Sequence, residues 1–194
     1  MNYKWYFLIT ICLFGIGIVL GLATSTSTVG LFDEEITALG TLPNLLASLP
    51  QFSLFVFIFI KNVSAILVSF VLSPFFCLVP VMALLVNGGL IGWVSALVIQ
   101  EKSLGYLLVG LLPHGIFELP AFIIGEAVAL SFGTAVMLYP FKKDGGNLLR
   151  ANLKQNSRYL IVVIILLLPA ALIETFITPW LLRLLEAQPA GILP

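Results

Sequence analysis

Long apolar runs set the strongest limit on the fold of this chain. Each run approaches the roughly 20 residues that a helix needs to cross the hydrocarbon core of a bilayer. The runs lie near residues 3–23, 62–80, 81–100, 116–138 and 159–185. Charged residues make up only 9% of the chain, against about 25% in an ordinary soluble domain. The sequence therefore predicts an all-α fold, a polytopic membrane helix bundle of about five transmembrane helices that forms a single integral membrane domain over residues 1–194.

The distribution of basic residues predicts the orientation in the membrane. Segment 140–158 holds five basic residues and one acid, and basic loops remain on the cytoplasmic side. If Lys4 is cytoplasmic too, four crossings separate it from this loop. We therefore expect a cytoplasmic N-terminus, an acidic segment 33–35 outside, and a C-terminus outside the cell membrane. We expect the first apolar run to remain as an uncleaved membrane helix, because it is long for a signal peptide.

Two segments are expected to depart from simple crossings. The pattern of residues 31–60 predicts an external amphipathic segment at the interface, so that Lys61 lies where the next crossing begins and its ammonium avoids the hydrocarbon. The apolar stretch 104–112 is too short to span a bilayer, and Pro113 and Gly115 interrupt it. We expect a re-entrant or half-membrane piece there, followed by a full crossing.

The stretch 111–133 carries the polar groups that matter most for function. It is apolar, yet it contains the only histidine of the chain and two carboxylic acids. Ionisable groups at membrane depth are costly, and they mark buried polar clusters or functional sites. On a helix, His114 and Glu118 share one face. We expect one intramembrane polar cluster built from several helices. Its members are His114, Glu118, Glu126, Asn87 and Glu174.

The same stretch resembles a family motif, H-G-x-x-E-(apolar)-P followed by a Gly-rich apolar helix. The matching residues are His114, Gly115, Glu118 and Pro120. A second pattern, N…NG…G, is matched by Asn62, Asn87, Gly88 and Gly92. On these residues the chain resembles the stage II sporulation protein M family of membrane proteins, over roughly residues 55–185.

This resemblance implies a multi-pass membrane protein with a His/Glu motif. The namesake of the family works with cell-wall hydrolases during spore engulfment, where it is regarded as anchoring or localising them, and it has no accepted chemistry of its own. Relatives also occur in bacteria and archaea that do not form spores. This sequence departs from a pattern of strongly polar external loops, which argues against a large docking surface outside the membrane.

Three roles suit the polar cluster. It is a hydrogen-bonded structural centre that holds helices in register, a proton relay or cation site, or a divalent-metal site with His114 and Glu118 as ligands. No other cofactor is expected. The sequence contains no H-E-x-x-H, G-x-S-x-G or P-loop motif, so we expect no enzymatic activity.

These observations favour a non-enzymatic membrane scaffold or partner protein. Its expected surroundings are the lipid bilayer and a membrane or cell-envelope protein, and small-residue pairs such as Gly17-x-x-x-Gly21 favour a homodimer or larger homo-oligomer. The net charge of zero gives no reason to expect nucleic-acid binding. The alternative is a small transporter or channel subunit that works through His114, Glu118 and Glu126.

Overall fold

The computed structural model describes residues 3–24, 50–142 and 145–187, and every regular element in these ranges is helical. Five helices are apolar and long enough to cross a membrane. They are α1 (Tyr3–Ala23), α2 (Gln51–Leu72), α3 (Leu78–Glu101), α4 (Leu104–Leu138) and α5 (Gly145–Leu172). After α5 the chain continues through a π-helical segment, Ile173–Ile177, into a short helix α6, Thr178–Glu186. The predicted all-α fold is confirmed.

Helix α4 lies at the centre of the bundle. It contacts every other helix, whereas α1 packs mainly against α3. The run 125–131 of α4 is buried throughout. Contacts between α2 and α4 advance in the same direction along both helices, from Asn62–Glu118 to Ser69–Glu126. These two helices are therefore parallel, as expected when one other crossing separates them.

Glycines bring the backbones of α1 and α3 into contact. A Cβ placed at Gly17 or Gly92 would collide with the backbone of the facing helix, and Gly21 and Gly88 are confined in the same way. Residues four apart share one helix face, so each helix presents a strip of small residues to the other. Because Gly17-x-x-x-Gly21 packs within the chain, it gives no argument for a homodimer.

Helix α4 corrects one sequence expectation. It is a single helix of 35 residues, so the predicted re-entrant piece over 104–112 is wrong. Pro113 and Pro120 lie inside the helix without ending it. Each proline lacks the N–H that would pair with the carbonyl one turn earlier, and the helix continues despite the loss of these two hydrogen bonds. Ser103 caps the start of the helix, and its hydroxyl oxygen accepts a hydrogen bond from the Tyr106 N–H at 3.1 Å.

Helix α2 is also continuous where a boundary was expected at Lys61. The second and third helices that are long enough to cross a membrane are Gln51–Leu72 and Leu78–Glu101, whereas crossings were expected at 62–80 and 81–100. Residues 51–60 of the predicted amphipathic segment belong to α2, and residues 31–49 lie outside the described residues. Lys61 is exposed and lies about 15 Å from the start of the helix by helical rise, so the prediction that a crossing begins at Lys61 is wrong.

The basic segment 140–158 is largely helical, because α5 begins at Gly145. The Tyr3 hydroxyl of α1 donates a hydrogen bond to Asn156 Oδ1 of α5 at 2.6 Å. Lys4 therefore lies at the same end of the bundle as the basic first turns of α5. This arrangement agrees with an even number of crossings between them. The cytoplasmic assignment of that end remains a prediction.

Candidate functional site

Two glutamates and the histidine converge beside the middle of α4. His114 and Glu118 of α4 meet Glu174 of the π-helical segment, and one ligand-type atom from each lies within 4.8 Å of the other two. His114 Nε2 is 3.8 Å from Glu118 Oε2, which is longer than a hydrogen bond. All three side chains are partly buried. We call these three residues the His/Glu cluster.

The cluster results from the antiparallel packing of α4 against the segment 173–186. The Tyr106 hydroxyl donates to Glu186 Oε1 at 3.1 Å, and a Cβ on Gly110 would lie 3.8 Å from Leu182. From the first contact to the second, the position moves four residues forward along α4 and four residues backward along the segment 173–186. The next positions in this register are His114 with Thr178 and Glu118 with Glu174.

Helix α2 supplies the remaining polar groups of this region. Asn62 Nδ2 donates a hydrogen bond to Glu118 Oε1 at 3.0 Å, so the other carboxylate oxygen is the one that faces His114. The neighbouring ammonium of Lys61 attracts Glu174 electrostatically. The sequence placed Asn62 only in the family motif and Lys61 only at an interface. No pattern in an almost uniformly apolar helix indicated that both approach the glutamates.

Glu126 does not join the His/Glu cluster. It lies two turns beyond Glu118 on α4, about 12 Å away by helical rise, and is 1% exposed. The Ser69 hydroxyl of α2 donates to Glu126 Oε2 at 2.5 Å. Ile66 and Ala121, both buried in an apolar core cluster, occupy the intermediate level. The Ser69–Glu126 pair is therefore a polar site of its own on α4, and an apolar layer separates it from the His/Glu cluster.

Asn87 lies away from both sites. It is exposed on α3, where its Nδ2 donates to the Ala83 carbonyl of the same helix at 2.8 Å. The prediction that it joins the polar cluster is wrong. Gly88 and Gly92 pack directly against the backbone of α1. With these two positions facing α1, position 87 faces away from the bundle.

A buried hydrogen-bond chain near one end of the bundle was missed by sequence reasoning. The Tyr3 hydroxyl donates to Asn156 at 2.6 Å, Asn156 donates to Asn152 at 2.8 Å, and Asn152 donates to the Ser131 hydroxyl at 2.9 Å. The chain joins α1, α5 and α4. One sequence feature could have indicated it. Asn152 and Asn156 are four residues apart and therefore lie on one face of a helix.

The remaining motif residues show different degrees of constraint. Gly115 is buried, but a Cβ there would make only ordinary contacts, the nearest with Leu119 at 3.9 Å. Pro120 is exposed. By contrast, Gly88 and Gly92 have a direct packing role against α1. Packing thus accounts for the glycines of α3 and leaves Gly115 without a steric reason.

Residues 10–179 match the family model for Stage II sporulation protein M. This range includes the glycine contact between α1 and α3, the His/Glu cluster and the Ser69–Glu126 pair. The chain belongs to the stage II sporulation protein M family. An uncharacterized protein of Methanocaldococcus jannaschii is 26% identical over 173 residues, which cover 89% of this chain and 93% of that relative. No solved structure matches the chain.

Membership in the stage II sporulation protein M family confirms the resemblance found in the sequence motif. The archaeal relative is named only as uncharacterized, so its name assigns no substrate or partner. Within the family fold seen here, the functional evidence consists of the His/Glu cluster and of the polar side chain that α3 presents outwards.

Proposed function

We propose that this family member is a non-enzymatic membrane scaffold that assembles with another membrane protein through the outer face of α3. The observation that supports this role is the exposed position of Asn87 on a helix face that is otherwise apolar. The exposed neighbours on that helix are Met82, Val86, Leu90 and Val94. A helix from a partner protein would cover this face and the amide together.

Hydrogen bonding explains why Asn87 favours a protein neighbour over lipid. The side-chain amide offers two N–H donors and an acceptor oxygen, and its described hydrogen bond uses one donor, on the Ala83 carbonyl. Lipid chains offer no partner for the remaining groups. Polar contacts between membrane helices stabilise association by about 0.6 kcal/mol on average and by up to about 1.7 kcal/mol. Asn87 gains this stabilisation only when a helix of another protein packs against it.

The interior of the bundle suits a structural role. Several of its buried polar side chains are paired with a side chain on another helix, as in Ser69–Glu126 and Asn152–Ser131. Such pairs hold neighbouring helices at one rotation and one depth. A partner would then meet a rigid outer surface whose shape does not depend on binding.

Site-directed photo-cross-linking tests the scaffold proposal in intact membranes. A photoreactive residue in place of Asn87 should give a discrete protein adduct, because the proposal places a partner helix there. The same residue in place of Val68, an apolar side chain that is 52% exposed on α2, is the matched control and should react mainly with lipid. The partner should co-purify in mild detergent and be lost on Asn87→Leu. Lipid adducts alone at both positions would contradict the proposal.

A second candidate function is cation or proton transport, which the convergence of the His/Glu cluster favours. The apolar layer containing Ile66 and Ala121 separates this cluster from Glu126, so transport requires that layer to open. Flux measurements in liposomes test the idea. Glu118→Gln and His114→Ala should abolish flux while Asn87→Leu leaves it intact. Equal flux in all three variants eliminates transport through this site.

A further inference from the structure

We propose that His114, Glu118 and Glu174 bind one divalent transition-metal ion inside the bundle. This site goes beyond the proposed scaffold role and does not depend on it. Its first support is convergence, since the three ligand-type atoms come from two separate helical segments and lie within 4.8 Å of one another. In a tetrahedral site with bonds of about 2.0–2.2 Å, ligand atoms are about 3.3–3.6 Å apart. Small rotations of the two flexible glutamate side chains would bring the ligand atoms from within 4.8 Å to these shorter separations.

The second support is the orientation of Glu118. Asn62 donates a hydrogen bond to one of its carboxylate oxygens at 3.0 Å. The other oxygen is directed towards His114 Nε2 at 3.8 Å, a separation that leaves room for an ion between two ligands and is too long for a direct hydrogen bond. Carboxylates that bind metals are commonly held in this way by a second residue. Asn62 is thus a positioning residue for the metal ligand.

The third support is a buried hydroxyl group without a hydrogen bond. His114 Nδ1 and Thr178 Oγ1 are buried and lack a partner within the described ranges, and Thr178 is only 7% exposed. The register of α4 against the segment 173–186 places Thr178 opposite His114. Unpaired buried polar atoms are rare in folded proteins and call for a bound species. In the proposed site a water ligand of the metal ion pairs with the Thr178 hydroxyl. His114 Nδ1 faces away from an ion bound to Nε2, so its unpaired state adds no support of its own.

Charge and ligand chemistry indicate the class of ion. Two neighbouring, partly buried carboxylates repel each other, and a divalent cation offsets both charges. The nearby Lys61 is exposed and compensates less effectively. One imidazole with two carboxylates suits ions such as Zn²⁺, Mn²⁺, Fe²⁺ or Co²⁺. Calcium and magnesium prefer oxygen ligands alone, so the imidazole argues against them.

Metal titration of the purified full-length chain tests the proposal. The protein is prepared in mild detergent with a histidine-free affinity tag, treated with chelator, and titrated with Zn²⁺ and with Co²⁺. We expect one metal ion per chain by elemental analysis and a visible absorption band from the bound Co²⁺. A monodisperse, helical preparation that retains neither ion would overturn the site.

Variants identify where the metal binds. Glu118→Gln and Glu174→Gln should each lose stoichiometric binding, and His114→Ala should change the Co²⁺ absorption, since each removes a ligand. Asn62→Ala should weaken the affinity by about 10–100-fold, the usual effect of losing a residue that orients a ligand. The matched control is Glu126→Gln, which alters a more deeply buried acid on the same helix and should bind normally.

The variants also separate metal binding from simple unfolding. Only proteins that elute as one species with unchanged helical content are compared. If Glu174→Gln fails this criterion, Asn62→Ala, which retains all three ligands, takes its place, and undiminished affinity in that variant overturns the proposal. Unchanged Zn²⁺ stoichiometry in well-folded Glu118→Gln has the same consequence.

Discussion

At the residue scale, Glu126 shows how a carboxylic acid is accommodated deep in an apolar bundle. It is 1% exposed, and Ser69 of α2 donates a hydrogen bond to it at 2.5 Å. A buried polar group without a partner costs free energy, whereas a paired one holds two helices together. Glu126 therefore joins α2 to α4 and does not contribute to the ion site proposed around Glu118.

Two substitutions of Glu126 should change the free energy of unfolding by different amounts, because only one of them keeps an acceptor for Ser69. Glu126→Ala removes a buried side chain and leaves Ser69 unpaired, so we expect a loss of about 2–5 kcal/mol in the free energy of unfolding. Glu126→Gln keeps an oxygen that can accept from Ser69 and should cost about 1 kcal/mol or less. Denaturation of the detergent-solubilised protein, followed by circular dichroism, measures both. Equal losses would show that the hydrogen bond contributes nothing.

At the element scale, the glycine strips of α1 and α3 decide how these helices are rotated. Lipid chains are as apolar as leucine side chains, so burial of apolar area contributes little to the association of membrane helices. Close packing of the two backbones drives the association of α1 with α3 instead, and the backbones can approach this closely only at glycine. The same contact that joins Gly88 and Gly92 to α1 directs Asn87 outwards. The glycine contact with α1 therefore decides which residues of α3 face away from the bundle.

Adding single methyl groups tests this packing. Gly92→Ala places a Cβ against the Ile18 carbonyl, so we expect a destabilisation of about 1–3 kcal/mol. The matched control is Gly15→Ala, because a Cβ at position 15 meets nothing within 4 Å. That change should be neutral or should stabilise α1 by about 0.5–1 kcal/mol. Thermal denaturation in detergent compares the two variants, and similar melting temperatures would contradict the proposed packing.

At the scale of the whole molecule, helix directions follow the order of the chain. Residues 17–21 of α1 face residues 88–92 of α3 in parallel, α2 is parallel to α4, and α4 is antiparallel to the segment 173–186. The Tyr3–Asn156 contact brings the starts of α1 and α5 to one end. Because α5 begins with basic residues, the positive-inside rule predicts that this end is cytoplasmic.

Accessibility of introduced cysteines tests the topology. Single Lys102→Cys and Lys142→Cys variants, made after Cys12 and Cys77 are replaced by alanine, place a thiol at opposite ends of α4. We expect a membrane-impermeant thiol reagent to label position 102 in intact cells. Position 142 should be labelled only after the membrane is opened. Labelling of both positions from outside would contradict a membrane-spanning α4, and the reverse pattern would invert the orientation.

The candidate site was only partly predictable from the sequence. The spacing of His114 and Glu118 places them on one face of any helix, and apolar runs together with rare charges indicated a membrane bundle. The partners of Glu118 and Glu126 on α2 were not predictable. Asn62 and Ser69 lie in a helix that is apolar on nearly every side, so the pattern of residues does not show which face is buried.

The sequence by itself determined that the chain forms long apolar helices, because backbone groups and side chains in lipid leave few alternatives. It also showed that His114, Glu118, Glu126 and Glu174 lie within apolar stretches of the chain. Only the tertiary structure decided that α4 continues through Pro113, that Glu174 reaches His114 while Glu126 does not, and that Asn87 faces outwards. The physical reason is that lipid and protein interior are both apolar, so helix rotation and register depend on the fit of backbones and polar pairs between helices, not on hydrophobic periodicity.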